Sequence, residues 1–326
     1  MRKCCFIIPY FGKFPNFFPL FLKTCSWNKD FNWLLITDSD VPYNYPENFN
    51  VVKMTFNELK VMVQSRFDFE IAFDSPYKLC DYKPAYGYIF EDYIKDFRFW
   101  GHCDVDTIMG NLSSYISEDL LDEYDKIFCI GHMVLYKNTS EINRLFMSKY
   151  KGRILYKDVF TTNRICWFDE EYHDEYNINQ VFISQNKKVF KTDYSLNLRI
   201  LPTNFVRSRY LGIEVWNENH GYKIEKYREA VYTWDNGHII RYFLDGNSLK
   251  SEEFLYVHFL RRKMSMYKRI LDIDKFKFIP NKFLPLEVDQ VTIDNFKKIH
   301  KHSFNTHYID VKVKPILKKI LRLFHL

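Results

Sequence analysis

Two aspartates, Asp104 and Asp106, directly follow an apolar and aromatic run in the stretch FRFWGHCDVDTIMGNL, residues 97–112. In extended backbone, residues i and i+2 point to the same side, so the two carboxylates can converge on one point. Carboxylate oxygens suit Mg²⁺ and Mn²⁺, which keep coordination positions open for substrate phosphates. The pair therefore predicts a divalent-cation site that stabilises a departing diphosphate. Aspartates at strand ends also cap helices or face solvent, and this alternative stays open.

A second group of acidic residues lies in the stretch CWFDEEYHDEYNINQVFISQ. The INQVFI segment that follows the acids has the pattern of an amphipathic helix. Acids ahead of a helix can cap it and complement its dipole, or one of them can act on a substrate. The sequence leaves both interpretations open for five residues, Asp169, Glu170, Glu171, Asp174 and Glu175.

Two further residues have open interpretations. His258 lies in the apolar segment FLYVHFLRRKM, where it is either a core histidine with satisfied hydrogen bonds or a metal ligand. Trp234 lies in TWDNGHIIR, where Asp235-Asn236-Gly237 predicts a hairpin turn. This tryptophan is either buried beside the hairpin or stacks on a sugar face.

The candidate residues must be positioned by strands, and apolar runs alternate with helical patterns through the first half of the chain. Strands are predicted in CCFIIPYFG, FNWLLITDSD, FNVVKMTF, FRFWGHC and YDKIFCIGHMVLYKN, and helices in FPLFLKTCSW, NELKVMVQSRF and CDYKPAYGYIFEDYI. In the last helix, Asp81 is the predicted N-cap and Pro84 lies in the first turn. The alternation predicts an α/β fold with a mixed, mainly parallel sheet flanked by helices. Ligands bind beyond the carboxyl ends of such strands, so Asp38, Asp104 and Asp106 are expected on one rim.

Taken in order, these segments resemble the GT-A glycosyltransferases, in which a buried strand carries an Asp-x-Asp motif to a nucleotide-sugar diphosphate. FWGHCDVDTIMGNL is similar to the motif segment, FIIPYFG to the first strand with its nucleoside-binding loop, and LLITDSD to the second strand. YKLCDYKPAYGYIF is similar to the helix before the motif, FCIGHMVLYKN to the segment after it, and FLYVHFLRRKM to the C-terminal element. The resemblance covers residues 4–264 and implies a GT-A-like, Rossmann-like fold. It points to transferases of bacterial capsule, O-antigen or other surface polysaccharides.

The resemblance also implies roles for individual residues. The metal ligands would be Asp104, Asp106 and His258, with Mn²⁺ or Mg²⁺ as the ion. The acceptor side would include Gly131 and His132. The donor-binding residues would be Pro9, Tyr10, Phe11, Asp38, Lys83, Asp104, Arg261 and Lys263.

In this family an acid commonly lies at the head of a helix after the motif, on the acceptor side. Asp174 and Glu175 are nearest the predicted helix start and are therefore the candidate catalytic residues. Such an acid is the general base of an inverting enzyme, whereas in a retaining enzyme it stabilises the transition state or orients the acceptor. The chain departs from the retaining pattern after the C-terminal histidine, where Arg261, Arg262 and Lys263 replace a glycine and a spaced lysine.

The composition limits the possible partners and compartment. The chain has 326 residues, of which 47% are hydrophobic, enough to bury a substantial core. Its net charge is +6 and its acidic and basic residues are interleaved, so a nucleic-acid partner is not expected. Seven scattered cysteines without metal-ligand spacing favour a reducing cytoplasm. Neither a transmembrane helix nor a signal peptide is expected.

A catalytic domain is predicted over residues 1–270 and a C-terminal extension over residues 271–326. After Pro315 the extension predicts an amphipathic helix with one apolar face, formed by Ile316, Leu317, Ile320, Leu321 and Phe324. The opposite face is basic and contains Lys318, Lys319 and Arg322. Such a helix can lie on an anionic membrane, here the inner face of the cell membrane, or dock on the domain by its apolar face.

The expected function is metal-dependent transfer of a sugar from a nucleotide sugar, with a UDP-sugar as the first candidate, to a glycan or lipid-linked glycan acceptor. A metal-dependent nuclease or phosphotransferase is one alternative, since carboxylates and a divalent ion also serve phosphoryl chemistry. The interleaved charges provide no basic track for a nucleic acid. The other alternative is a non-catalytic carbohydrate-binding protein of the same fold.

Overall fold

A computed structural model of the chain describes residues 2–171, 175–212 and 220–323. The strands of its largest sheet are β1 (Arg2–Pro9), β2 (Phe31–Thr37), β3 (Phe49–Lys53), β4 (Phe97–Cys103), β6 (Lys126–Ile127), β7 (Met133–Lys137) and β8 (Val189–Phe190). Within the described residues they lie in the order β3-β2-β1-β4-β7-β6-β8. Strand β7 is antiparallel to its neighbours β4 and β6, and the other pairs are parallel. The mixed, mainly parallel sheet expected from the sequence is therefore confirmed.

Helices cover both faces of this sheet, which explains why its central strands are continuous apolar runs. One face, which includes Ile7 and Trp100, packs against six helices. These are α2 (Phe56–Gln64), α3 (Leu79–Tyr82), α4 (Tyr86–Ile89), α6 (Ser140–Arg144), α7 (Leu155–Phe160) and α8 (Ile178–Ser184). The other face, which includes Phe6 and Trp33, packs against α1 (Phe18–Ser26) and α5 (Glu118–Glu123).

The single helix predicted in the segment before β4 is wrong in its details. The segment is a series of short turns, in which a 3-10 turn at Lys83–Ala85 separates α3 from α4. Pro84 has no backbone N–H to donate, so a regular helical ladder does not continue through it. Asp81 does not cap a helix, because its side chain is fully buried and pairs with Lys78 Nζ at 2.8 Å. Gly87 lets α4 lie directly on β4, since a Cβ there would be 2.2 Å from the Trp100 ring.

The second half of the described chain forms three smaller sheets. A three-stranded sheet consists, in order, of β5 (Thr107–Met109), β15 (Tyr256–His258) and β9 (Ser195–Asn197). A two-stranded sheet pairs β10 (Ser208–Tyr210) with β11 (Tyr222–Ile224). The strands of the third are β12 (Ala230–Asp235), β13 (His238–Asp245), β14 (Ser248–Phe254), β16 (Ser265–Met266), β17 (Lys275–Ile279) and β18 (Lys282–Pro285). This six-stranded sheet has the order β14-β13-β12-β17-β18-β16.

The hairpin between β12 and β13 has the turn that the sequence predicts. Asn236 and Gly237 both have positive φ, 48° and 88°, as a two-residue hairpin turn requires. Trp234 is fully buried and its Nε1 donates to the Met109 carbonyl at 2.9 Å. The tryptophan therefore belongs to the core and does not offer its face to a sugar.

The C-terminal part contributes to the six-stranded sheet before it becomes helical. Strands β17 and β18 lie within residues 271–326, and the division of the chain at residue 270 stays a prediction. The helices that follow are α9 (Ile293–Phe296), α10 (Thr306–Tyr308) and α11 (Lys314–Leu323), which confirms the predicted C-terminal helix. Among the described residues, no helix combines the length and the apolar character needed to cross a bilayer.

Candidate metal and donor site

The Asp104–Val105–Asp106 segment is the turn between β4 and β5, at the carboxyl end of β4. The Asp104 N–H donates to the His132 carbonyl at 3.1 Å. The Thr107 hydroxyl donates to the Asp104 carbonyl at 2.6 Å. These bonds fix the turn backbone, so the orientation of both carboxylates follows from the strand that precedes them.

Strand β15 brings His258 to the same turn, because it pairs antiparallel with β5 and places His258 opposite Thr107. The Nε2 atom of His258 lies 3.5 Å from Asp106 Oδ1 and 4.0 Å from Asp104 Oδ2. One donor atom from each of the three side chains lies within 4.8 Å of the others. The predicted metal ligands therefore converge, and two carboxylates with an imidazole fit a divalent ion such as Mn²⁺ or Mg²⁺.

Asn197 orients the imidazole of His258. Its Oδ1 lies 3.1 Å from His258 Nδ1, and the two residues are register partners in the parallel pair of β9 and β15. An amide oxygen only accepts, so Nδ1 carries the proton and Nε2 faces the carboxylates. Metal-binding histidines are commonly held in this way by a hydrogen bond on the other ring nitrogen.

The charges of Asp106 and His258, two of the three candidate ligands, depend on each other. Burial alone would favour neutral Asp106, but His258 and the Arg261 N–H lower the pKa of this carboxyl to about 2. Burial alone would lower the pKa of His258, whereas Asp106 and Asp104 raise it above its usual value. Asp106 is therefore held as a carboxylate, and the acids beside His258 stabilise positive charge at this place, as a site for a cation requires.

The loop after β15 approaches Asp106 through an unusual backbone. Leu260 and Arg261 both have left-handed φ, 51° and 58°, which is costly for residues with a Cβ. This geometry directs the Arg261 N–H to Asp106 Oδ2 at 2.6 Å. The Arg261 guanidinium lies 4.7 Å from the centre of the Tyr77 ring. Lys263 is exposed and pairs with Asp310 at 3.0 Å.

Lys83 links the metal ligands to a second group of acids. Its Nζ donates to the Gly131 carbonyl at 2.7 Å and lies 3.0 Å from Asp104 Oδ1 and 3.3 Å from Asp169 Oδ2. Burial would lower the pKa of Lys83, but Asp104 and Asp169 raise it well above its usual value. Burial raises the pKa of Asp169 to about 7 in spite of Lys83. Burial also raises the pKa of Glu170, which accepts the Gly131 N–H at 3.2 Å.

Asp81 holds the segment that carries these acids. Its buried carboxylate accepts the N–H groups of Cys166 at 2.9 Å and Phe168 at 3.2 Å. Lys78 neutralises it and also donates to the Arg164 carbonyl at 2.7 Å. The segment just before Asp169 is thus attached to the same chain region that supplies Lys83.

Gly131 and His132 complete this side of the site. A Cβ at Gly131 would be 2.6 Å from Asp169 Oδ2, so the acids approach it closely because it lacks a side chain. The His132 ring stacks on His258 with 4.3 Å between ring centres, and its Nδ1 lies 2.5 Å from the Tyr256 hydroxyl. Within the described ranges, the buried Nε2 of His132 has no hydrogen-bond partner. Burial lowers the pKa of His132 well below its usual value.

The predicted nucleoside-side residues lie at the carboxyl ends of β1 and β2. Pro9 is buried at the end of β1, and half-buried Tyr10 has a pKa raised by burial and by Asp106. Phe11 packs edge-on against the Phe56 ring at 5.5 Å. Asp38 is exposed and its Oδ1 accepts the N–H of Gly12, so it joins the loops after the two strands.

Of the two predicted catalytic acids, only Glu175 belongs to the described residues, and it does not contact Lys83 or the three candidate ligands. Glu175 is half exposed and pairs with Lys151. Asp174 lies outside the described residues. The cap of α8 is Asn177, whose side chain accepts the N–H groups of Asn179 and Gln180. The acids that contact Lys83 and Gly131 are Asp169 and Glu170, which the sequence reasoning considered but did not select. Phe168, directly before them, is fully buried, and an apolar residue at this position is a signal for burial that favours Asp169 and Glu170.

The comparison with known families follows this geometry. A family model described as "Family of unknown function (DUF6625)" matches residues 6–287. The chain belongs to this family. Among curated proteins, none is similar in sequence at a significant level.

Solved structures provide a distant likeness. The chain is similar to the crystal structure of galactosyltransferase LgtC in complex with donor and acceptor sugar analogs, and to that of an active-site mutant of LgtC. For each, the identity is 9%, the TM-score is 0.33, and the match covers 59% of this chain and 75% of the LgtC chain. A likeness at this level assigns neither activity nor substrate, so the functional argument depends on the site itself.

Proposed function

We propose that this chain is a GT-A-type, metal-dependent glycosyltransferase that moves a sugar from a nucleotide sugar to a glycan or lipid-linked glycan. The observation that carries the proposal is the convergence of Asp104, Asp106 and His258 at the carboxyl end of β4. The catalytic domain would occupy residues 1–270, in the cytoplasm. The acceptor would belong to a bacterial surface polysaccharide such as a capsule or an O-antigen.

The position of the triad in the sheet supports a nucleotide ligand. The chain runs from β1 outward to β2 and β3, and then returns to β4 on the other side of β1. The loops after β1 and β4 therefore diverge at this point, where open α/β sheets bind their ligands. The loops after β1 and β2 carry Tyr10, Phe11 and Asp38, which are suited to a base and ribose, and the turn after β4 carries the two aspartates of the triad.

A divalent ion held by the triad would neutralise charge on the departing diphosphate. Around it the chain supplies cations of its own, since Lys83 lies against Asp104 and Arg261 lies in the loop that binds Asp106. Such groups stabilise negative charge that develops on a leaving group. A UDP-sugar is the first donor to test.

We assign the acceptor-side acid to Asp169, with Glu170 beside it. A carboxyl with a pKa near 7 is half ionised at neutral pH and is matched to proton transfer there. It would take the acceptor hydroxyl proton in an inverting enzyme, or stabilise positive charge on the sugar in a retaining one. This assignment replaces Asp174 and Glu175, the candidates chosen from the sequence, because Glu175 is held by Lys151 on the surface.

The test is release of free nucleotide from a panel of nucleotide sugars with Mn²⁺. We expect one donor to be hydrolysed slowly and faster with acceptor glycan present, and EDTA or Asp106→Asn to abolish both reactions. Asp169→Asn should slow transfer by roughly 10²- to 10⁴-fold, while the variant still binds Mn²⁺. Asp40→Asn is the matched control, because this aspartate is fully exposed.

Two other outcomes would contradict the proposal. Metal-dependent cleavage of oligonucleotides, with no nucleotide-sugar turnover, would identify a nuclease or phosphotransferase. Glycan binding that persists with EDTA, without turnover of any donor, would identify a carbohydrate-binding protein.

A further inference from the structure

The last described helix leaves an apolar face uncovered. In α11 the exposed fractions are 60% for Ile316, 50% for Leu317, 42% for Ile320 and 49% for Leu321. Phe324, the last apolar residue predicted for this face, lies outside the described residues. Of the two alternatives from the sequence, docking on the domain would bury these side chains, and the part of the chain that the structure describes leaves them exposed. The face is therefore available to another surface.

The charge of the helix indicates what that surface is. Ten residues, KPILKKILRL, contain Lys314, Lys318, Lys319 and Arg322 and no acid. A basic helix with a continuous apolar face matches the surface of an anionic membrane. Its cations lie among the negatively charged headgroups, and its apolar side chains insert among the acyl chains. A second copy of the same helix would cover the apolar face but would offer no anions to the basic one.

The base of the helix is attached close to the metal ligands. Asp310 pairs with Lys314 at 2.7 Å and with Lys263 at 3.0 Å. Lys263 follows Arg261, whose N–H binds Asp106. A surface that holds α11 therefore lies near the loop that borders the candidate donor site.

We infer that α11 is a membrane-surface anchor that binds anionic phospholipid. The anchor acts through the apolar side chains at 316, 317, 320 and 321 together with the four basic residues of the helix. It places the site beside a bilayer, where a lipid-linked acceptor is presented, and this last step alone rests on the proposed function. Binding to lipid itself needs neither donor nor metal, so it is measured independently of glycosyl transfer.

The experiment is sedimentation of the full chain with vesicles, in EDTA and without donor. We expect binding to vesicles that contain phosphatidylglycerol, much weaker binding to pure phosphatidylcholine, and weakening by salt. Each basic residue near an anionic surface contributes roughly fivefold to partitioning. Lys318→Glu/Lys319→Glu should therefore reduce partitioning by more than about tenfold. Ile316→Ser/Ile320→Ser should reduce it on both kinds of vesicle.

The matched control is Lys297→Glu/Lys298→Glu, which makes the same change in charge at two exposed lysines outside α11. It should bind almost as the unmodified chain does. Equal loss in the control and the helix variant would show that net charge, and not α11, drives binding. Absence of vesicle binding, or a dimer that Ile316→Ser/Ile320→Ser dissociates in light scattering, would overturn the inference.

Discussion

The affinity of the site for Mn²⁺ should fall as the pH is lowered, because the ion and a proton compete for His258 Nε2. In the protein without an ion, Asp106 has a pKa of about 2 and is already a carboxylate at any ordinary pH. His258 has a raised pKa, so it is an imidazolium below that value. Its Nδ1–H is held by Asn197, and the Nε2 proton is therefore the one that a cation must displace.

The magnitude follows from this single proton. Below the pKa of His258, the dissociation constant for Mn²⁺ should rise about tenfold for each unit by which the pH falls, or about 1.4 kcal/mol. Above that pKa the affinity should become constant. In the Asp169→Asn variant, which leaves only the His258 proton in this range, titration calorimetry in two buffers of different ionisation enthalpy should show close to one proton released per ion at low pH and fewer at high pH. Electron paramagnetic resonance of free Mn²⁺ gives the affinity independently.

The other group that could release a proton when the ion binds is Asp169, whose pKa is about 7. The Asp169→Asn variant separates the two, because it should keep the tenfold slope. A constant affinity between about pH 5.5 and pH 8, or proton release that disappears with Asp169→Asn, would refute the assignment of His258 as a ligand.

Three further outcomes are expected. Asp81→Asn leaves Lys78 buried without its counterion, so the free energy of unfolding in urea should fall by about 3–5 kcal/mol. The double variant Lys78→Met/Asp81→Leu should recover part of this loss, and an unchanged unfolding midpoint in Asp81→Asn would contradict the role of the buried pair. Gly131→Ala places a Cβ against the Asp169 carboxylate and should lower the free energy of unfolding by about 1–3 kcal/mol. It should also lower turnover without changing Mn²⁺ affinity. Full turnover would show that the close approach of Asp169 to residue 131 is not needed. The pKa of Asp169 is about 7 in the folded protein and about 3.8 in the unfolded chain, so between these pH values the folded state binds the extra proton. The free energy of unfolding should therefore decrease as the pH rises from about 3.8 to about 7. Asp169→Asn should lack that decrease in pH-dependent calorimetry, and an identical profile would show that this group does not titrate there.

The sheet and the position of the two aspartates at its rim could be predicted because their signals are local. Strands covered on both faces must be apolar throughout, and such runs end where polar side chains begin. Asp104 and Asp106 follow one of these runs directly. His258 was identified only through the resemblance to GT-A enzymes, since a histidine in an apolar run has no local feature that separates a ligand from a core residue.

The acids were harder to predict because their positions depend on distant residues. Asp169 is buried because Asp81, distant in the sequence, binds the backbone of Cys166 and Phe168. The sequence pattern favoured an acid at the head of α8, but that helix is capped by Asn177 and needs no carboxylate. The exposure of α11 was likewise undetermined, since an amphipathic pattern is the same for a helix on a domain and a helix on a membrane.

Lys83 connects the candidate metal ligands to the candidate catalytic acid by electrostatic contacts with both. The same ammonium contacts Asp104, a candidate metal ligand, and Asp169, the candidate acid. A divalent ion at the triad adds positive charge near both carboxylates and favours the ionised form of each. The ion would therefore lower the pKa of Asp169 from its value of about 7 and convert it to the carboxylate that accepts a proton. In the proposed transferase, filling the metal site would thus favour the carboxylate form of Asp169 and would link donor binding to acceptor activation.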